Sequence, residues 1–458
     1  MSWFARQRFK PGVKGYSPRP LTPDEAMVIQ NLEMLRDGTW KPRPGLETKA
    51  TLAGTIRHVS GAPGGFTDGA MAIGGGNLYR VNVSTWTATN LASGWPTAGR
   101  VRHTFGSDAT GGLYWLAHKS ATDGLGAGLF RVTSAGAYAQ VAAAPNGKWV
   151  ENHGLYNLVV DGGATLRYSD DSDSDTWPGA NSFYPFREAG LIYAVVSLTD
   201  AQCLIFGSNA LGVLAGNEAS TWSQGLLLNT PFRSFPGMPL CKVGNRVAVM
   251  GPNSRIFIYS PSLDRVDVPA HDDMAALGDM TELTMWYDPV MACVAVSELT
   301  TAQTYFFDVE RGTWIGTWDK ALVGLAVYED DLHPRNFRVL GYGSKLVKPD
   351  LATYTDDGAA FTCALETVLP SVNAPESEKQ CANLHIDGDG DWTVKLYGRN
   401  SPNASWTLLD TRTVAAPGWA YFTAHTYREG KVRFEATAAS GVRFRSFACD
   451  ERAVGVAA

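Results

Sequence analysis

The feature that most constrains this chain is a repeated hairpin: an apolar strand, a glycine-containing turn, then a second strand opening with Leu or Ile and an aromatic or β-branched residue. Clear copies occupy residues 72–81, 159–168, 205–214, 249–258 and 339–347, and looser ones end at residues 129–132 and 305–308. Their spacing is irregular but averages about 45 residues, the period of a four-stranded propeller blade. A small or acidic residue followed by Thr-Trp closes several units, at Trp86, Trp177, Trp222 and Trp314. The expectation is an all-β chain containing a β-propeller of six or seven blades.

Composition agrees. With 48 glycines, 24 prolines and plentiful Trp, Tyr, Thr and Val, the 458 residues favour short strands joined by turns. One helix is expected, at Thr22-Pro23-Asp24-Glu25, where a capping residue precedes proline at the first helical position and Glu25 follows three residues after the cap. A net charge of −6 argues against a protein whose whole surface grips nucleic acid. The first nineteen residues are the exception: Arg6, Arg8, Lys10, Lys14 and Arg19 lie beside Trp3, Phe4 and Phe9 with no acid among them. This basic segment reads as a tail or as an arm that orders on a partner. No apolar stretch follows those charges, so no secretory signal is expected, and the longest apolar runs have strand length, too short to span a membrane as a helix. The six cysteines form no CxxC pair and sit in apolar runs, as reduced core thiols do.

Three regions separate by pattern. Residues 1–50 form an N-terminal arm with the short helix and a Pro-rich extended segment; 51–358 hold the repeated hairpins; 359–458 show period-2 alternation without the repeat, the pattern of a β-sandwich.

Candidate chemistry is sparse. In the acidic turn 169–177 only the Thr-Trp end matches the sialidase Asp-box, in which the Ser, Asp and Gly positions are here Asp170, Ser172 and Ser174. Asp171, Asp173 and Asp175, like Asp387, Asp389 and Asp391, start as EF-hand loops do, but Thr176 and Trp392 replace the required glycine, and Ser182 and Gly398 the bidentate Glu. Both runs read as hairpin turns. The eight histidines show no metal-ligand spacing, and neither a nucleophile elbow nor a Walker loop is present. No catalytic residue, cofactor or metal site is expected. Trp392, Trp406 and Trp419 are read as core or interface residues of the sandwich.

The stretch 31–45 carries Asn31, Gly38, Arg43, Pro44 and Gly45 in the spacing N-x6-G-x4-R-P-G, and Leu166-Arg167-Tyr168-Ser169 is followed by Thr176-Trp177-Pro178-Gly179. In these segments, and in its order of leader, propeller and sandwich, the chain resembles the tail nozzle, or tail stabilisation, proteins of short-tailed bacteriophages. The resemblance implies a virion structural protein rather than an enzyme. It would be made in the host bacterial cytoplasm and assembled, as a hexamer, into a ring or tube below portal and adaptor that extends and closes the DNA ejection channel. Implied partners are the portal and adaptor rings and tail fibres, with double-stranded DNA passing without specific binding. Trp40, Arg43, Pro44 and Gly45 are the expected interface residues: Pro42 and Pro44 hold the chain extended, Gly45 permits a reversal and Arg43 is presented between them, although the same segment also reads as a plain linker. The alternative is a phage or surface propeller binding host glycan or a tail fibre, and behind it a propeller glycosidase.

Overall fold

The computed structural model describes residues 5–8, 26–35, 38–63, 66, 69–119, 128–185, 190–227, 238–251, 254–269, 282–299, 303–330, 333–350, 352–369 and 377–456. The expected helix at residues 22–25 and the aromatics Trp3, Phe4 and Phe9 lie outside them. Among the described residues the only complete helical element is one 3-10 turn, Ala219–Thr221.

The chain folds as a seven-bladed β-propeller. Blades one to six follow in order at residues 56–93, 103–140, 149–183, 192–227, 240–267 and 283–318. Blade seven takes three strands from residues 322–350 and its outermost strand, Gly45–Thr51, from the other end of the array. That strand runs antiparallel to Lys345–Asp350, with Lys345 opposite Thr51 and Asp350 opposite Gly45. The ring also closes on the inside, where Leu325 of blade seven meets Ser60 of blade one in a parallel bridge. Each repeated hairpin supplies the second and third strands of one blade, or the third strand alone in the two looser copies. Gly75 and Gly76 turn the first hairpin with φ of +56° and +77°, a backbone that two-residue hairpin loops require. The Thr-Trp pairs mark the entry to the outermost strand of blades one, three, four and six.

A blade is apolar on both faces and cannot bury them alone. Ile73 and Leu78 of blade one pack with Trp115 and Val132 of blade two, and Leu158 of blade three with Leu204 of blade four. Leu52 and Ile56 meet Val339 and Leu346 where blade seven adjoins blade one. Each such side chain contributes about 1.5–3 kcal/mol by leaving water. Indole donors tie blades together: Trp115 Nε1 donates to Ser60 Oγ at 3.0 Å, Trp149 Nε1 to the Val195 carbonyl at 2.7 Å and Trp314 Nε1 to the Pro269 carbonyl at 2.8 Å. All six cysteines are buried as free thiols.

The remaining strands build the C-terminal sandwich. Its spine is the 23-residue strand Ser377–Arg399, which pairs along its first part with Arg443–Val456 and along its last part with Glu429–Thr437. The change of partner falls at the Asp387–Asp391 segment, where the register shifts and Gly390 has φ +86°. This acidic run is therefore a corner inside one strand and not the expected hairpin turn, because alternating glycines let a strand bulge and pass from one sheet to the other. Phe434 of one sheet meets Phe444 and Phe447 of the other at ring separations of 4.9 and 5.3 Å. Trp392 is fully buried against Phe444, Trp406 lies under the Arg399 guanidinium at 4.4 Å, and Trp419 is part-exposed beside His385.

The leader is woven through both halves. Ala26–Gln30 pairs with Thr362–Val368 of the sandwich and, at Gln30 and Thr317, with the outermost strand of blade six. Ala5–Arg8 adds to the sandwich strand at Ser446–Cys449.

Candidate functional site

The motif residues of the leader meet in one buried junction. Asn31, in the left-handed region with φ +55°, which asparagine tolerates better than most residues, is fully buried. Its backbone N–H donates to the Thr317 carbonyl of blade six at 2.7 Å, and its side-chain amide to the Thr362 carbonyl of the sandwich at 2.8 Å. Its Oδ1 accepts from Arg43 Nε at 3.1 Å and from the Asp319 N–H at 3.1 Å. Arg43 is 0% exposed and forks onto Asp356 at 2.8 and 2.7 Å, with a further bond to Asp319 at 3.1 Å. Its planar head lies 3.9 Å from the Phe361 ring centre and 5.4 Å from that of Trp318. Burial would lower the Arg43 pKa, but Asp356 and Asp319 outweigh it and hold the guanidinium charged; burial likewise raises Asp356, and Arg43 brings it below the usual carboxylate value.

The other motif positions serve the same junction. Gly38, φ +82°, belongs to the turn joining Leu32–Met34 to Trp40–Pro42. Trp40 is 1% exposed and pairs with Phe444 of the sandwich. The Pro44 carbonyl accepts from Arg43 at 3.0 Å. A Cβ on Gly45 would stand 2.2 Å from the Thr355 carbonyl oxygen, so only glycine fits where the leader turns into blade seven. Trp40, Arg43, Pro44 and Gly45 are thus brought together, and the contacts they make are within the chain.

The acidic turn 169–177 is a hydrogen-bonded loop of blade three that docks on blade two. Asp170 N–H donates to the Thr176 carbonyl at 2.7 Å, Thr176 Oγ1 to Asp173 at 2.7 Å, and Ser174 exchanges bonds with Ser107 of blade two at 2.8 and 3.0 Å. Its polar groups are occupied with the fold.

A second site was not read from the sequence. The seven innermost strands surround an axial cavity of about 570 Å³. Polar spokes cross it between blades that are not neighbours. Arg57 of blade one pairs with Glu282, just ahead of blade six, and Arg100, ahead of blade two, donates to the Leu283 carbonyl of blade six. Arg102 donates to the Leu240 carbonyl of blade five at 2.6 Å, and Lys242 of blade five pairs with Glu151 of blade three at 2.6 Å. His58 and His103 face each other at 4.8 Å between blades one and two; burial first lowers both, aided at His58 by His103 and Arg102 and at His103, which falls to about 3, by Arg102 and Lys242. The signal was present: Arg-His stands at 57–58 and again at 102–103, one blade period apart. Among the described residues no group of three or more His, Cys, Asp or Glu has the geometry to hold a metal ion.

No family model and no curated protein sequence matches the chain. Similar solved structures include PorZ, an essential bacterial surface component of the type-IX secretion system of Porphyromonas gingivalis, at 14% identity and TM-score 0.42, covering 79% of this chain and 46% of PorZ. Another is the extracellular domain of the putative one component system BT4673 from B. thetaiotaomicron, at 11% identity and TM-score 0.45, covering 93% of this chain and 62% of that one. A nidogen/laminin complex matches at 10% identity and TM-score 0.35, covering 54% of this chain and 94% of that one. The chain spans about half to three-fifths of the first two.

Proposed function

We propose that the chain is a structural subunit of a short-tailed phage tail, a nozzle protein whose copies form a ring around the DNA exit path and carry out no catalysis. The observation that supports this reading best is the junction at Asn31 and Arg43. The spacing on which the resemblance rests is the one that locks leader, propeller and sandwich to each other, which suits a wall element that must transmit load between rings without internal hinges. The duplex would pass along the axis of the assembly and not through a propeller, because the cross-axis bonds from Arg57, Arg100, Arg102 and Lys242 span each propeller's own centre. A mildly acidic surface, at net −6, suits a lumen that should not hold phosphates.

Assembly is assigned to the basic leader segment, which would dock on a neighbouring subunit or on an acidic adaptor face. Deleting residues 1–20 removes the Ala5–Arg8 edge strand but leaves Ala26–Gln30, Asn31 and Arg43 in place. The expected result is an unchanged circular dichroism spectrum with loss of the oligomer in sedimentation velocity. An oligomer of unchanged size would remove the leader from the assembly interface.

A further inference from the structure

The axial cavity is lined by cationic side chains from several blades. Arg57, Arg100, Arg102 and Lys242 line it; Glu151 meets Lys242 and Glu282 meets Arg57. Arg102 has a different environment. Its head is held by the Leu240 carbonyl and lies 4.5 Å from the Trp149 ring centre, and among the described residues no carboxylate bonds to it. Its Nε has no hydrogen-bond partner, and neither has Nε2 of His58 beside it. Glu151, already paired with Lys242, favours the Arg102 cation only in part; burial outweighs it, and an anion that enters relieves that cost. Burial pulls Arg102 down to about 10, still charged at neutral pH, while the two histidines stay neutral and keep N–H groups for hydrogen bonding.

We propose that this cavity is a binding site for a small ligand bearing an oxyanion, a phosphoryl or carboxylate group, received by Arg102 with Lys242 and flanked by His58 and His103. The volume suits more than a bare ion, since small-molecule pockets run from about 300 to 1,000 Å³. Val59, Val101, Trp286 and Leu325 offer apolar wall for an uncharged remainder. The repeated Arg-His pair places like groups on two adjacent innermost strands, so donors reach the same space from neighbouring blades. The inference does not depend on the tail assignment.

The test uses the full chain in thermal melts at constant ionic strength, with chloride replaced by inorganic phosphate or by acetate. Phosphate, acetate or both should raise Tm by several degrees over chloride, and the anion that does so identifies the phosphoryl or the carboxylate form of the ligand. Equilibrium dialysis with labelled phosphate or acetate should then give one site per chain. Arg102→Met should weaken that binding at least tenfold. Should R102M fail to fold, Lys242→Gln, at a half-exposed side chain and keeping a donor for Glu151, is expected to weaken it several-fold with the fold intact. Equal melting in all three salts, or equal anion binding by the folded variants and the parent, would overturn the proposal.

Discussion

Replacing Arg43 by methionine should cost about 3–5 kcal/mol of stability, because a buried ion pair broken on one side leaves charge without compensation. Asp356 loses its fork, and Asp319 and the amide oxygen of Asn31 each lose one bond, which leaves Lys320, at 3.5 and 3.8 Å, beside the two carboxylates. Methionine keeps most of the volume, so the loss reports on electrostatics more than on a cavity. Arg43→Lys should recover part of it, since a lysine ammonium retains the charge but cannot fork onto the two Asp356 oxygens. In R43M/D356N the second substitution should cost much less than D356N alone, a coupling of 1 kcal/mol or more. Urea denaturation followed by tryptophan fluorescence measures the four variants against the parent. A loss below about 1 kcal/mol for R43M would mean the junction is held by its backbone bonds and the guanidinium is incidental.

A chain beginning at residue 52 should fail to fold cooperatively. It lacks Gly45–Thr51, so blade seven is left with an open edge along Lys345–Asp350 and the ring has no outer closure. It also lacks the Ala26–Gln30 strand shared by blade six and the sandwich, and with it Asn31 and Arg43. The expected product is insoluble or bound to hydrophobic dye, in contrast to the chain lacking only residues 1–20. A soluble 52–458 fragment with a single sharp melting transition would show that the blades close without the leader.

The blades were legible because their signal is local. A glycine turn between two apolar strands is fixed within ten residues, and every copy read from the sequence is a second-to-third-strand hairpin or the third strand of one. The sequence allows six or seven blades because the copies at residues 129–132 and 305–308 are loose and have no glycine turn of the common form. No periodicity marks a strand supplied from the opposite end of the chain, so Gly45–Thr51 was assigned to the arm although it belongs to the propeller. The same limit applies to Arg43. Its setting between prolines suggested a presented side chain, whereas its partners at Asp319 and Asp356 lie 276 and 313 residues away and fold over it. The Asp387–Asp391 run looked like a turn because aspartate and glycine favour turns locally; the two sheets on either side of it make it a corner. The axial cavity depends wholly on closure. Arg57 and Glu282 become partners only when blade seven brings blades one and six to the same axis.

Negative-stain electron microscopy of the purified full-length protein tests the proposed role most directly. A nozzle subunit should give closed rings of six copies with a central opening wide enough for duplex DNA, each copy showing a propeller disc joined rigidly to a smaller sandwich lobe. Fields of separate particles at every protein concentration, each a single propeller with its lobe, would contradict the assignment.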